Sequence, residues 1–230
     1  MDIKIMHLLE GARAARGLTV IIDVFRAFSL ECYFAAAGAA EIIPVGSEAL
    51  CRQLKEADPS LLLAGERHGF TLPGFDYGNS PTQVEHVDLT GKTVIHTTSA
   101  GTQGIENAVN ADEVITGSLA NAAAIARYIK LRKPEQVSLV GMGVETKKIA
   151  DEDLLCAEYI RSLLLDEPFD LQSRIEELKY TTGARFFKPE NQESMPERDF
   201  FLCTQPNRFD FVLQVSRQAD GLNHAKRIDV

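Results

Sequence analysis

Short runs of apolar residues with almost no polar interruption, such as Val20-Ile21-Ile22 and Leu61-Leu62-Leu63, recur through the first two-thirds of the chain. A strand with one wet face alternates apolar and polar side chains, whereas a continuous run needs cover on both faces. The pattern predicts strands at Ile3–Leu8, Thr19–Val24, Glu41–Val45, Leu61–Gly65, Lys92–Thr97, Glu113–Thr116 and Gln136–Val140. Helix-length stretches lie between them at Arg26–Ala37, Ser47–Ala57, Gly101–Val109 and Ala120–Arg132. After Asp151 the texture changes: helices are expected at Glu152–Leu165 and Leu171–Lys179, an exposed loop at Lys188–Arg198, and strands at Phe200–Cys203 and Phe209–Val215. The expected architecture is α/β, layered α/β/α, with a mixed, largely parallel sheet and a helix-plus-strand C-terminal portion. One domain over residues 1–230 is the simplest organisation, with two closely packed lobes at about 1–145 and 146–230 as the variant.

Charge narrows the partners. With 24 Lys and Arg against 33 Asp and Glu, the formal charge is −9, which repels nucleic acid and anionic lipid. A small anionic metabolite is still admissible, because local donors or a bound cation outweigh the overall field at short range. No apolar run approaches the roughly 18–20 residues of a membrane span, and the start Met1-Asp2-Ile3-Lys4 has no signal-peptide character. These features favour the cytoplasm. The four cysteines are scattered, so reduced thiols are expected rather than a disulfide framework or a thiolate metal site.

Several predicted strands run into small or polar residues and then a helix start, the place where parallel sheets put ligands. Thr97-Thr98-Ser99-Ala100-Gly101-Thr102 offers four hydroxyls and a glycine, which suits either an oxyanion cradle or ordinary helix capping. Asp23, at a strand end, with Arg26 three residues on, suits Mg2+ binding or attack on phosphorus, with the guanidinium on phosphoryl oxygens. A helix cap or buried ion pair explains the same two residues equally well. Glu66-Arg67 and the turn-rich Phe75–Pro81 follow another strand and read as a binding loop or a surface pair. No Walker motif and no G-x-G-x-x-G is present.

Taken in order, Asp23-Val24-Phe25-Arg26-Ala27, Gly65-Glu66-Arg67, Pro73-Gly74-Phe75-Asp76-Tyr77-Gly78-Asn79-Ser80-Pro81, Thr97–Thr102 and Gly117-Ser118-Leu119-Ala120-Asn121 resemble the 2-phosphosulfolactate phosphatase family. Glu152–Ala157 and Phe209-Asp210-Phe211-Val212 are similar too, and the resemblance spans roughly residues 18 to 230. It implies an Mg2+-dependent phosphoric monoester hydrolase that converts (R)-2-phospho-3-sulfolactate to 3-sulfolactate and phosphate, a step toward coenzyme M. The rivals are a phosphatase for a different small anionic phosphoester and a non-catalytic binder of anionic metabolites. Three features depart from the family pattern: Phe28, where a small hydroxyl residue is expected, His68, and Gly141-Met142-Gly143.

The resulting assignments are Asp23, Glu66 and Arg26 as catalytic, and Asp23, Glu66, Glu152 and Asp153 as metal ligands. Arg67, Asn79, Ser80, Thr97, Thr98, Ser99, Gly101, Thr102, Ser118 and Asn121 are assigned to substrate. Mg2+ is the expected cofactor, a small phosphorylated anion the expected partner, and a homodimer a reasonable expectation for a small metabolic enzyme. Asp23 gives the sharpest test. Asp23→Asn keeps the shape and deletes the charge, so turnover should fall on the order of 10³-fold, about 4 kcal/mol of transition-state stabilisation. Asn caps helices about as well as Asp. Phosphate release within roughly tenfold of wild type would therefore return Asp23 to a capping role.

Overall fold

The computed structural model describes residues 1–230. In chain order the first half comprises β1 (Asp2–His7), α1 (Leu8–Ala14), β2 (Leu18–Ile22), α2 (Ala27–Ala36), β3 (Glu41–Pro44), α3 (Glu48–Ala57), β4 (Leu62–Arg67), β5 (Phe70–Thr71), β6 (Thr93–Thr97) and α4 (Gly101–Asn107). The second half comprises β7 (Glu113–Gly117), α5 (Ala122–Arg132), β8 (Gln136–Gly141), α6 (Asp151–Leu165), α7 (Leu171–Leu178), α8 (Glu197–Thr204), β9 (Phe211–Arg217) and β10 (Asn223–Asp229).

All ten strands join one sheet in the order β1-β8-β2-β7-β9-β10-β3-β6-β4-β5. The first four are parallel to one another, and so are β3, β6 and β4. Between these blocks lies the antiparallel pair β9–β10, whose seam to β3 is the single pairing Ala225↔Ile42. Three antiparallel steps make the two parallel blocks run in opposite senses. Strand twist of about 20–25° per step accumulates between β2 and β6 and swings their carboxyl ends toward a common corner.

Helix α2 occupies that corner. Its first nine residues, Ala27-Phe28-Ser29-Leu30-Glu31-Cys32-Tyr33-Phe34-Ala35, are all buried and only the terminal Ala36 is exposed, as expected of a helix that is apolar nearly all round. It packs in a core that takes Ile21 and Val140 from one block, Ile42, Ala64 and Val94 from the other, and Leu213 and Val215 from β9. Its one buried acid, Glu31, is paired with Nδ1 of His96 on β6 at 2.9 Å. The opposite face of the sheet is covered by α5 and α6 over Val20, Ile22, Val137 and Leu139. Strand β2 thus sends alternate side chains into two cores, which accounts for its continuous apolar run. All four cysteines are buried and unpaired.

The C-terminal portion corrects two expectations. Phe200–Cys203 lies in α8, not in a strand: Pro196 precedes the helix, Glu197 and Asp199 occupy its first turn, and Phe200 and Cys203 share one core at helical spacing. A four-residue apolar run does not separate the two periods by itself. Within Lys188–Arg198, Pro189–Asn191 forms a 3-10 turn and the last two residues already belong to α8. The strand expected at Phe209–Val215 is β9, and the chain returns through Asp220-Gly221, with Gly221 at φ +79°, into the unanticipated β10. At the other end, Leu8 opens α1 instead of closing β1.

The burial of α2 is testable by contrast. Leu30→Ala should cost about 2–5 kcal/mol in urea-melt stability. Leu131→Ala, at a residue 71% exposed on α5, should stay within about 0.5 kcal/mol. Equal effects would remove α2 from the core.

Candidate active site

Where the carboxyl ends of β2, β8, β4 and β6 converge there is a cavity of about 200 Å³, smaller than the roughly 300–1,000 Å³ clefts that take drug-sized ligands. Asp23, Arg26, Glu66, Asn79, Ser99, Glu152 and Asp153 all line it. Asp23 follows β2, and the chain enters α2 through a cis Phe25–Arg26 peptide. Glu66 is near the end of β4, Ser99 follows β6, and Glu152 and Asp153 occupy the first turn of α6. Four buried carboxylates thus face one small space.

Backbone N–H groups aim two of these acids firmly. Asp153 accepts from Val24 at 2.9 Å and from Gly143 at 2.8 Å. Glu66 accepts from Gly69 and from Ser99, both at 2.8 Å. Glu152 accepts from the Thr182 hydroxyl and lies 3.6 Å from Arg185. Asp23 is the least committed, with a long 3.4 Å contact from the Ala27 N–H and a weak one from Gly101. Glycine is required at two of these positions. A Cβ on Gly101 would sit 2.9 Å from Asp23 Oδ2 and from the Phe28 ring. Gly143 has φ +67° and would strike the Lys148 carbonyl at 2.2 Å.

Electrostatics follow from crowding. Burial, then the charges of Glu66 and Glu152, push the Asp23 carboxyl up to about 7. Burial and the Asp23 charge raise Asp153 as well, and burial raises Glu152 against the opposing pull of Arg185. The carboxyl-rich wall therefore favours a bound proton or cation over bare negative charge. Hard carboxylate oxygens in excess fit Mg2+. No three of them are placed to enclose a metal ion together.

The other predicted residues divide sharply. Asn79 and Ser99 reach the cavity, and each has a buried side-chain oxygen with no partner, Oδ1 and Oγ respectively. Thr98 and Thr102 spend their hydroxyls on each other's backbone at the start of α4. They are helix-end residues and form no cradle. Thr97 accepts from Arg67, whose other contact is the Glu66 carbonyl, and both lie outside the cavity lining. Ser118 and Asn121 close a capping box on the 3-10 turn before α5, also away from the cavity. Strand β7 ends beside β2, but its loop turns toward the opposite core.

Two functional neighbours were not foreseen. Asp199, fully buried on α8, accepts from Arg26 at 2.8 Å, and from the Ser80 hydroxyl, the Thr82 N–H and the Thr82 hydroxyl. Arg26 also donates to the carbonyls of Ser194 and Gly69. Three of its five N–H groups are thereby committed to scaffold, and Ser80 is held by Asp199 rather than turned to a ligand. Arg185, on the 3-10 turn Thr182–Phe187, is the second arginine of the wall. No local motif marks either residue. Their only sequence signal is charge within an aromatic-rich segment. At the mouth, His68 Nδ1 meets Glu145 Oε1 at 2.5 Å.

Fold and site together define an α/β protein whose small-molecule cavity, at strand ends, is walled by acids and arginines. A family model described as 2-phosphosulpholactate phosphatase matches residues 3–218. The chain belongs to that family. It is 36% identical over 176 residues to a probable 2-phosphosulfolactate phosphatase of Caldicellulosiruptor saccharolyticus, covering 75% of this chain and 72% of that one. It is 29% identical over 221 residues to the Bacillus subtilis protein of the same name, with 96% of each chain covered. A third relative so named, from Carboxydothermus hydrogenoformans, is 40% identical over 168 residues, covering 73% of this chain and 69% of that one.

The raised Asp23 carboxyl makes stability depend on pH. An ordinary Asp titrates near about 4, so the fold favours the neutral form, and that contribution is lost as pH rises toward about 7. In EDTA, wild type should lose thermal stability relative to Asp23→Asn between about pH 4 and pH 7. The variant should be the more stable protein at the upper end. Melting curves in which wild type stays ahead throughout would contradict the uncompensated charge at Asp23.

Proposed function

We propose that the protein hydrolyses the phosphomonoester of (R)-2-phospho-3-sulfolactate in an Mg2+-dependent reaction, releasing 3-sulfolactate and phosphate, as a step toward coenzyme M. The observation that carries this reading is the set of four buried carboxylates converging on a small cavity in a member of this family. Such a wall repels a phosphoester unless a cation stands between them.

One or two of Asp23, Glu66, Glu152 and Asp153 would hold Mg2+, with phosphate and water completing its shell. When bound, the ion neutralises phosphoryl charge and supports the departing oxygen. The chain's own groups do the positioning. Asp23 keeps an oxygen uncommitted and suits either ligation or attack on phosphorus. Glu66, held by two N–H donors, is oriented as its partner and as a base toward water. Arg26 keeps two N–H groups beyond its three scaffold bonds, enough for a phosphoryl oxygen pair. Asn79 and Ser99 add polar groups at the rim of the same space.

Phosphate release from 2-phosphosulfolactate should vanish in excess EDTA and return with Mg2+. Full turnover by metal-stripped protein would overturn the metal's role. In a panel of small phosphoesters, rates comparable to that on phosphosulfolactate would overturn the dedicated substrate.

A further inference from the structure

The two arginines of the cavity are not equivalent. Arg26 is buried and tied to Asp199, Ser194 and Gly69. Arg185 has one acceptor in the protein, the Phe25 carbonyl at 3.3 Å, and a loose ion pair with Glu152 at 3.6 Å. Its Nε is buried at the wall without any hydrogen-bond partner. A buried donor left unmade is costly, and more so in a charged group. The guanidinium rests against two rings, 5.8 Å from the Phe25 centroid and 5.4 Å from that of Phe186. Stacking fixes the plane of the fork while leaving its edge to hydrogen-bond.

We propose that Arg185, which lines the cavity with a partly exposed guanidinium, is the specificity-determining residue for the non-transferred anion of the substrate, a sulfonate or carboxylate. The assignment rests on the phosphatase reading for the reaction but not for the binding. Arg26 and Arg185 flank the Phe186 ring, at 5.9 and 5.4 Å, so an anion whose phosphoryl group is held by Asp23 and Arg26 carries its second charged group toward Arg185. Arg185 comes from the Thr182–Phe187 turn, beside Glu152, and presents the cation the scaffold has left uncommitted. A planar fork pairs two oxygens of a carboxylate or sulfonate at once, which a lysine's point charge does not reproduce. A phosphoester lacking a second anion leaves that donor unpaired and forfeits the interaction.

The test compares wild type, Arg185→Gln and Arg185→Lys on 2-phosphosulfolactate and on ethyl phosphate, which has no second anion. The ratio of kcat/KM between the two substrates should fall by about 30-fold or more in Arg185→Gln, carried mainly by KM for phosphosulfolactate. Arg185→Lys should fall between the two. An unchanged ratio, whether both rates drop together or neither does, would overturn the assignment. Thermal stabilisation by 3-sulfolactate is measured in parallel and needs no turnover. It should be present in wild type and lost in Arg185→Gln, and its persistence in the variant would overturn the proposal. If wild type releases no phosphate yet shows this loss, the phosphatase reading fails while the Arg185 assignment stands. Arg185→Lys keeps the charge beside Glu152, so it answers for a glutamine variant that folds poorly.

Discussion

Helix α2 has no solvent face, and the sheet is shaped by the need to surround it. Each side of the helix meets a different part of the sheet: one parallel block, the opposed block, and the β9–β10 pair between them. Only a strongly twisted sheet presents inward faces from both blocks to one helix. The same wrapping brings the carboxyl ends of β2 and β8 toward those of β4 and β6. Asp23 and Arg26 stand at the entrance to α2, and so at the meeting point of the strand ends. The location of the cavity is a by-product of burying one apolar helix.

That location is electrostatically expensive. Burial and neighbouring acids raise the proton affinity of Asp23 and Asp153, and the fold orients Asp153 and Glu66 with backbone N–H groups rather than with side-chain cations. Backbone donors orient an acid and bring no net charge, so the pull on a proton or cation is kept for whatever binds there. The arginines are divided in the same spirit. Arg26 is neutralised by Asp199 and holds the β4–β5 turn, α8 and the Ser80–Thr82 loop together. Arg185 is left largely uncommitted at the wall.

Much of this was legible in the residue order. Continuous apolar runs named the strands, because burial on both faces removes the polar half of the alternation. Asp23, Glu66, Ser99, Glu152 and Asp153 stand out as polar residues at strand ends or a helix start, Asn79 stands in a turn-rich loop, and the structure gathers all six at one cavity. What local pattern misses is who already has a partner. Thr98 and Thr102 look like a ligand cradle until each is seen to satisfy the other's N–H. Ser118 and Asn121 look alike in sequence to the site loops but close on themselves. The partner of Arg26 lies 173 residues away, at a distance no local motif spans. Phe200–Cys203 failed for a different reason, since four apolar residues fit either period and Pro196 with two acids decided for a helix.

The position of the β9–β10 hairpin has a consequence for how the chain reaches this state. It is made from residues 211–229, yet it lies between β7 and β3, in the middle of the sheet. The blocks on either side are synthesised first and have no direct hydrogen-bonded seam with each other. Until the hairpin is inserted, β7 and β3 are open edges and α2 lacks the wall that β9 supplies. Assembly of the centre is thus a contact of very long sequence separation, the kind that slows folding through loop-closure entropy. The nascent chain carries two unclosed parallel edges while it waits, the feature that makes such intermediates prone to pair with the wrong neighbour.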